Sequence, residues 1–229
     1  MKILIAGATG LVGGELLKAV FLNPAFTEVV ILSRREIMGL PAKARVVVTE
    51  LGENWLKPLE GSVFDAVFCA LGTTLKKAGS EEAFREVDER AILKLASFTE
   101  ASGSKQFLLV SSIGADPKSQ SFYLRIKGGV EKAVEKLSIP SITIVRPSII
   151  LGDRKEHRPM EELGKEIFKI FTPLLILHLK KYRGIEARDI ARTMAAISLD
   201  ARSGVRKLES DAIQGYSHVR PMVDQDGKS

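Results

Sequence analysis

Short apolar runs alternate along this chain with longer stretches in which apolar residues recur at helical spacing. The short runs fall at residues 3–6, 29–33, 45–50, 66–70, 107–111 and 143–145, and most are continuous in Val, Ile, Leu or Phe. Such runs predict strands covered on both faces, as in a parallel sheet whose crossovers are helices. The first helix is predicted over Leu11–Leu22, with Leu11, Val12, Leu16, Leu17 and Val20 on one face and Asn23-Pro24 ending it. A second, over 82–100, repeats Phe84, Val87, Ala91, Leu95 and Phe98; a third spans 122–137 and closes before Ile139-Pro140. Beyond Pro147 the alternation stops, leaving a loop with Pro159 and helices near 160–171 and 186–199. With no repeat or linker, the economical organisation is one domain. It has a sheet core over about 1–150, a small C-terminal lobe over about 151–222 and a frayed polar tail at 223–229.

Composition narrows the class. At 229 residues the chain can bury one sizeable core, and 27% charged residues is ordinary for a globular protein. The net charge of +6 raises the question of a polyanion partner. The basic residues are scattered, however (Arg34-Arg35, Lys76-Lys77, Arg154 and Arg158, Lys180-Lys181), and few aromatics lie among them, so no nucleic acid is expected. The lone cysteine, Cys69, excludes an intrachain disulfide and points to a reducing, cytoplasmic setting. No segment reaches the roughly 20 apolar residues of a membrane span. The longest, 167–179, carries Lys169 and Pro173 and reads as a buried helix or pocket wall before a peripheral membrane contact.

Directly after the first strand comes Gly7-Ala8-Thr9-Gly10-Leu11-Val12-Gly13, which opens into the first helix. Glycine supplies the positive φ of a tight turn and lets the backbone approach a pyrophosphate, while the helix N-terminus offers N–H groups and partial positive charge. This context predicts a dinucleotide site in a Rossmann-type, doubly wound α/β fold with a mostly parallel sheet. The second strand ends in Ser33-Arg34-Arg35, where an NAD-preferring site would place an acid. Two guanidiniums suit a 2′-phosphate, so NADP(H) is the expected cofactor. At Cys69-Ala70-Leu71-Gly72 small residues end a central strand and suit close passage of the cofactor; Cys69 itself reads as core packing.

The fifth strand ends in Ser111-Ser112, and the next helix begins Phe122-Tyr123-Leu124-Arg125-Ile126-Lys127. Tyr123 and Lys127 lie four apart on one helix face. An ammonium beside a phenol favours the phenolate, which would let the tyrosine trade a proton while a nicotinamide trades a hydride.

The order GATGLVG, SRR, CALGTT, VSSIGA, YLRIKG, RPSIILGDR resembles the short-chain dehydrogenase/reductase superfamily over roughly residues 1–200. More narrowly, it is similar to the atypical Tat-interacting-protein branch, an NADPH-binding group. The resemblance implies Tyr123 as proton donor or acceptor, Lys127 as its ribose-binding partner, and Ser112 as the substrate-orienting hydroxyl with Ser111 close by. It also implies cofactor contacts from Gly7, Ala8, Thr9, Gly10, Leu11, Val12, Arg34, Arg35, Leu71, Gly72, Ser111, Ile150 and Arg158.

Other chemistries lack their residues. His157, His178 and His218 show no metal-ligand spacing with each other or with Cys69, so no metal is expected, and neither a nucleophile elbow nor a P-loop occurs. The expected function is reduction or oxidation of a small carbonyl or alcohol. The alternative is an NADPH-sensing protein that contacts another protein and turns over little, motivated by the short Ser112–Tyr123 connection (residues 113–122) and the small lobe. A nucleotide-sugar epimerase ranks lower because it needs a larger lobe. A homodimer or protein partner is left open.

Overall fold

Strand β1 (Lys2–Ala6) is buried from Ile3 onward because it sits mid-sheet, paired in parallel with β2 (Glu28–Ser33) on one side and β4 (Ala66–Cys69) on the other. The computed structural model describes residues 1–152 and 184–219; the expected helix at 160–171, the 167–179 segment, His157, Arg158, His178 and the 223–229 tail lie outside them. Strands β3 (Ala44–Val48), β5 (Gln106–Val110), β6 (Ser141–Arg146) and β9 (Gly204–Glu209) complete the sheet, in the order β3-β2-β1-β4-β5-β6-β9. Every pairing in it is parallel. Two short strands, β7 (Ile150–Leu151) and β8 (Ile185–Glu186), pair with each other beside it.

The period-two alternation of each strand divides the core between the two faces. Ile3, Ile5, Val29, Ile31 and Phe68 face α1 (Leu11–Leu22) and α6 (Ala187–Leu199), which present Leu16, Val20, Ile190 and Met194. Leu4, Val30, Val67, Leu109 and Ile144 face α4 (Ile92–Ala101) and α5 (Phe122–Val134), through Ile92, Leu95, Val130 and Val134. Helices on both faces of a parallel sheet make this the doubly wound Rossmann-type fold that the sequence predicts.

Two expectations change. The helix expected over 82–100 is three pieces: α3 (Glu81–Arg85), a π-helical turn over Glu86–Ala91, and α4. It is preceded by a short α2 (Leu75–Ala78). The alternation does not stop at Pro147 either, because β9 pairs with β6 from Ser141↔Gly204 to Arg146↔Glu209 and is followed by α7 (Ser210–Val219). Its sequence, GVRKLE, hides it: an edge strand is covered on one side only, so charged and exposed residues replace the apolar run.

Candidate cofactor and active site

The turn after β1 is shaped by close approaches that only glycine allows. Gly7 has φ +88°, and a Cβ there would lie 2.4 Å from the Ala70 carbonyl oxygen at the end of β4. A Cβ on Gly13 would lie 2.1 Å from the Gly7 oxygen, so α1 is pressed against the turn it follows. Ala8 and Val12 are buried beneath, Leu11 is half-buried, and Thr9 and Gly10 are exposed above. Helix α1 begins with no side-chain cap and no acid in its first turn, so among the described residues its own sequence leaves the positive helix end uncompensated. This turn stands where the chain departs in opposite directions from β1, toward β2 and toward β4, the crevice that receives ligands in open α/β sheets. The residues therefore fit a dinucleotide pyrophosphate. Arg34 and Arg35, just past β2, are exposed, and among the described residues neither makes an ion pair.

Across the crevice, α5 starts at Ser121, whose hydroxyl accepts from the Leu124 N–H at 3.5 Å. Tyr123, half-buried, rests edge-on against the Phe84 ring with centroids 5.9 Å apart. One turn on, the Lys127 side chain is only 6% exposed and its Nζ lies 2.8 Å from Oδ1 of Asp88, which is fully buried. Asp88 comes from the π-helical turn, and its Oδ2 accepts from the Thr73 N–H at 2.7 Å. The spot that a Gly72 Cβ would take is 3.5 Å from Asp88 Oδ1 and 3.9 Å from Lys127 Nζ, so the ion pair lies directly beneath the Leu71-Gly72-Thr73 turn. Burial alone would pull the Lys127 ammonium down, but Asp88 and Tyr123 outweigh it and hold the group above the ordinary lysine range. Cys69, next to this pair, is wholly buried, and its thiol is pushed up to about 12 by desolvation, which suits packing and not nucleophilic chemistry.

The two serines after β5 have separate surroundings. Ser111 is buried and donates to Glu131 Oε1 at 2.5 Å; Glu131 also accepts from Arg146 Nε at 3.0 Å on both its oxygens. Ser112 is half-buried, and among the described residues its hydroxyl donates only a 3.2 Å bond, to the neighbouring Ile113 carbonyl. The short connection to Tyr123 folds tightly over α5: a Cβ on Gly128 would be 2.3 Å from the Asp116–Pro117 peptide. Ile150 lies in β7, half-buried, and Gly152 just beyond it packs over Leu11 at the start of α1. Arg158 lies outside the described residues.

Asp88 and Glu131 are the residues that reading the sequence for motifs missed; Thr73 and Arg146 stand within the CALGTT and RPSIILGDR stretches but carried no assigned role. Asp88 follows Phe84 by four and precedes Ala91 by three, so a carboxylate on an otherwise apolar helix face was the available signal. Glu131, four residues after Lys127, sits on the same face of α5.

Residues 7–200 match the model of a family described as NAD(P)H-binding. Protein HTATIP2 of Rattus norvegicus is 37% identical over 172 residues, covering 73% of this chain and 70% of that protein. Protein FMP52, mitochondrial, of Candida glabrata is 30% identical over 223 residues, covering 96% and 94%. Among solved structures, a putative NAD-dependent epimerase/dehydratase from Bacillus halodurans superposes with TM-score 0.68 at 22% identity, covering 95% of this chain and 99% of that one, and shares the fold. These relatives correct the cytoplasmic expectation: the FMP52 proteins of several fungi are named mitochondrial, which points away from the cytoplasm. A single buried thiol is compatible with any reducing compartment and could not have told them apart. No helix among the described residues is long and apolar enough to cross a membrane. With its glycine turn at the switch point of a parallel sheet and its relatives so named, the chain belongs to the NAD(P)H-binding family, in the atypical short-chain dehydrogenase/reductase branch alongside HTATIP2 and FMP52.

Proposed function

We propose that this protein is an NADPH-dependent oxidoreductase acting on a small carbonyl or alcohol, with Tyr123 as the acid/base. The observation that carries this reading is the buried Lys127 one helical turn from Tyr123, at the carboxyl ends of the central strands and across from the glycine turn. When bound, the reduced dinucleotide would supply a hydride to the carbonyl carbon of the substrate. As the C=O π electrons move onto oxygen, Tyr123 Oη gives that oxygen its proton and the carbonyl becomes an alcohol. The phenolate left behind is stabilised by the Lys127 ammonium and regains a proton from solvent. Ser112, whose hydroxyl is only weakly engaged among the described residues, is the better of the two serines to hold the substrate oxygen, since the Ser111 hydroxyl donates its hydrogen bond to Glu131. Arg34 and Arg35, exposed and unpaired among the described residues, support the preference for a 2′-phosphate.

The test is NADPH oxidation across a panel of small aldehydes and ketones. Tyr123→Phe is expected to lower kcat by about 10²–10⁴ while NADPH still binds; undiminished turnover sinks the assignment. Tight NADPH binding by the wild-type protein with no turnover on any substrate would favour the sensing alternative, which the tightly folded 113–122 connection keeps in view. Cofactor choice is tested apart from chemistry. Arg34→Asp should lower the NADPH-to-NADH affinity ratio at least about tenfold, because a carboxylate would repel the 2′-phosphate.

A further inference from the structure

Helix α5 sorts its charges by sign. Glu131 and Glu135 lie on the arc turned toward β6 and β9, where Arg146 and Lys207 pair with them. The exposed arc carries cations alone: Arg125, Lys132 and, in the turn that closes the helix, Lys136. Spacings of seven and four residues keep the three in one stripe about 16 Å long. Among the described residues none of them makes an ion pair, and Arg125 donates only to the carbonyls of Ser119 and Gln120, at 2.9 and 3.2 Å. The acid bordering the stripe, Asp116, turns its Oδ1 to the Lys118 N–H at 2.8 Å. A glycine stands in the middle of the stripe. Gly129 follows Arg125 by four and precedes Lys132 by three, and a Cβ there would meet nothing within 4 Å. Its neighbour Gly128 is demanded by the Asp116–Pro117 peptide, whereas nothing in the described fold demands Gly129. A glycine inside a helix is less stable than alanine because folding takes more freedom from it.

We infer that the exposed arc of α5 is a docking surface for an acidic helix of another protein, which crosses α5 at Gly129 and sets its carboxylates against Arg125, Lys132 and Lys136. The glycine leaves a notch where the two helices can approach closely, since the separation of packed helices follows the side chains at the contact. The cations supply complementary charge and steer the encounter. Other occupants fit the arc less well. A bilayer needs apolar side chains to insert, and Phe122, the large apolar residue here, is held between Arg85 and Arg125, whose guanidiniums lie 5.2 and 5.9 Å from its ring centre. No further aromatic lies on the arc to stack bases. The acid-rich α3 region of a second copy has its charge spent, because Glu82 and Glu86 pair with Arg90 and Glu89 pairs with Arg85. Tyr123 and Lys127 face the other side of α5, so docking does not rest on the proposed reaction.

The probe is a labelled synthetic helix with a Glu-rich face and alanine at its centre, set against the same peptide with Gln for every Glu. Binding to the whole protein is read by fluorescence anisotropy and mapped by amide NMR shifts. Lys132→Glu/Lys136→Glu should weaken the acidic peptide at least about tenfold, and the charge-matched Lys18→Glu/Lys57→Glu less than about twofold. Shifts in wild type should centre on residues 125–136. Gly129→Ala should raise the thermal midpoint by about 2–4 °C while weakening the peptide several-fold. No binding beyond that of the Gln peptide, equal weakening by the two double variants, or shifts centred elsewhere overturns the inference. So does a Gly129→Ala protein that binds as wild type does, because the crossing point is then wrong. Tighter binding of phosphatidylserine vesicles or of single-stranded oligothymidylate to the same arc overturns it too, in favour of lipid or nucleic acid. Should the α5 double variant fail to fold, the wild-type shift map decides: perturbation confined to the arc supports docking there, and perturbation spread over the basic surface refutes it.

Discussion

Helix α5 carries two buried charges one turn apart, and the protein neutralises them in different ways. Lys127 meets a single carboxylate, Asp88, whose Oδ1 has no well-aligned hydrogen bond and whose partner elements are the π turn and the loop after β4. Glu131 is surrounded: Arg146 holds both its oxygens, Ser111 donates to one, and Lys207 stands 3.7 Å from the other. The Glu131 cluster joins β5, α5, β6 and β9 and has its capacity spent within the protein. The Lys127 pair borders the crevice under an exposed glycine and keeps donors in reserve. Same helix, same face, same burial: what separates the two charges is how completely the described partners satisfy each.

The comparison can be broken most severely at Glu131. Glu131→Ala should cost about 3–5 kcal/mol in denaturant unfolding, because Arg146 cannot shed its charge and Ser111 loses its acceptor. Lys127→Met should cost less, about 1–3 kcal/mol, since Asp88 keeps its bond from the Thr73 N–H and the methionine fills the lysine's volume. Equal losses, or a larger loss at Lys127, would erase the distinction. The smallest effect is in alkali. The folded-state value of Lys127 is raised above the ordinary lysine value of 10.5. Its contribution to stability is therefore full below 10.5 and is lost as pH rises through the higher folded-state value. Wild type should lose about 1 kcal/mol by roughly pH 11.5 that Lys127→Met does not lose, measured as the difference between the two unfolding curves across that range. The Glu131–Arg146 pair has no such alkaline limb, since the guanidinium stays charged throughout.

Much of this was readable in the chain. Helix α1 has the bounds its apolar period predicts, the first six strands fall within a few residues of their apolar runs, and the Tyr123–Lys127 spacing places both residues on one helix. Asp88 was half legible: a carboxylate on an apolar face announces a buried partner without saying which. The π turn that presents it was not legible, because its extra residue per turn leaves the apolar pattern of 82–100 looking like one helix. Strand β9 was missed because edge strands lose the apolar run that marks buried ones. The compartment was misread because one thiol carries too little information, and the relatives' names corrected it.

What the sequence determined by itself is local: glycine where the backbone must take φ +88° against the Ala70 carbonyl, alternation that sends Ile3 and Leu4 to opposite faces, and a helix that carries Tyr123 and Lys127 together. Those outcomes follow from sterics and from the periods of helix and strand, which act over a few residues. What only the tertiary structure decided is who meets whom: Asp88 with Lys127 and Thr73, Ser111 with Glu131, β9 with β6. These meetings join residues 15 to 63 positions apart. They exist because the sheet order brings the ends of β4, β5 and β6 together beneath α5, and no local pattern encodes that order.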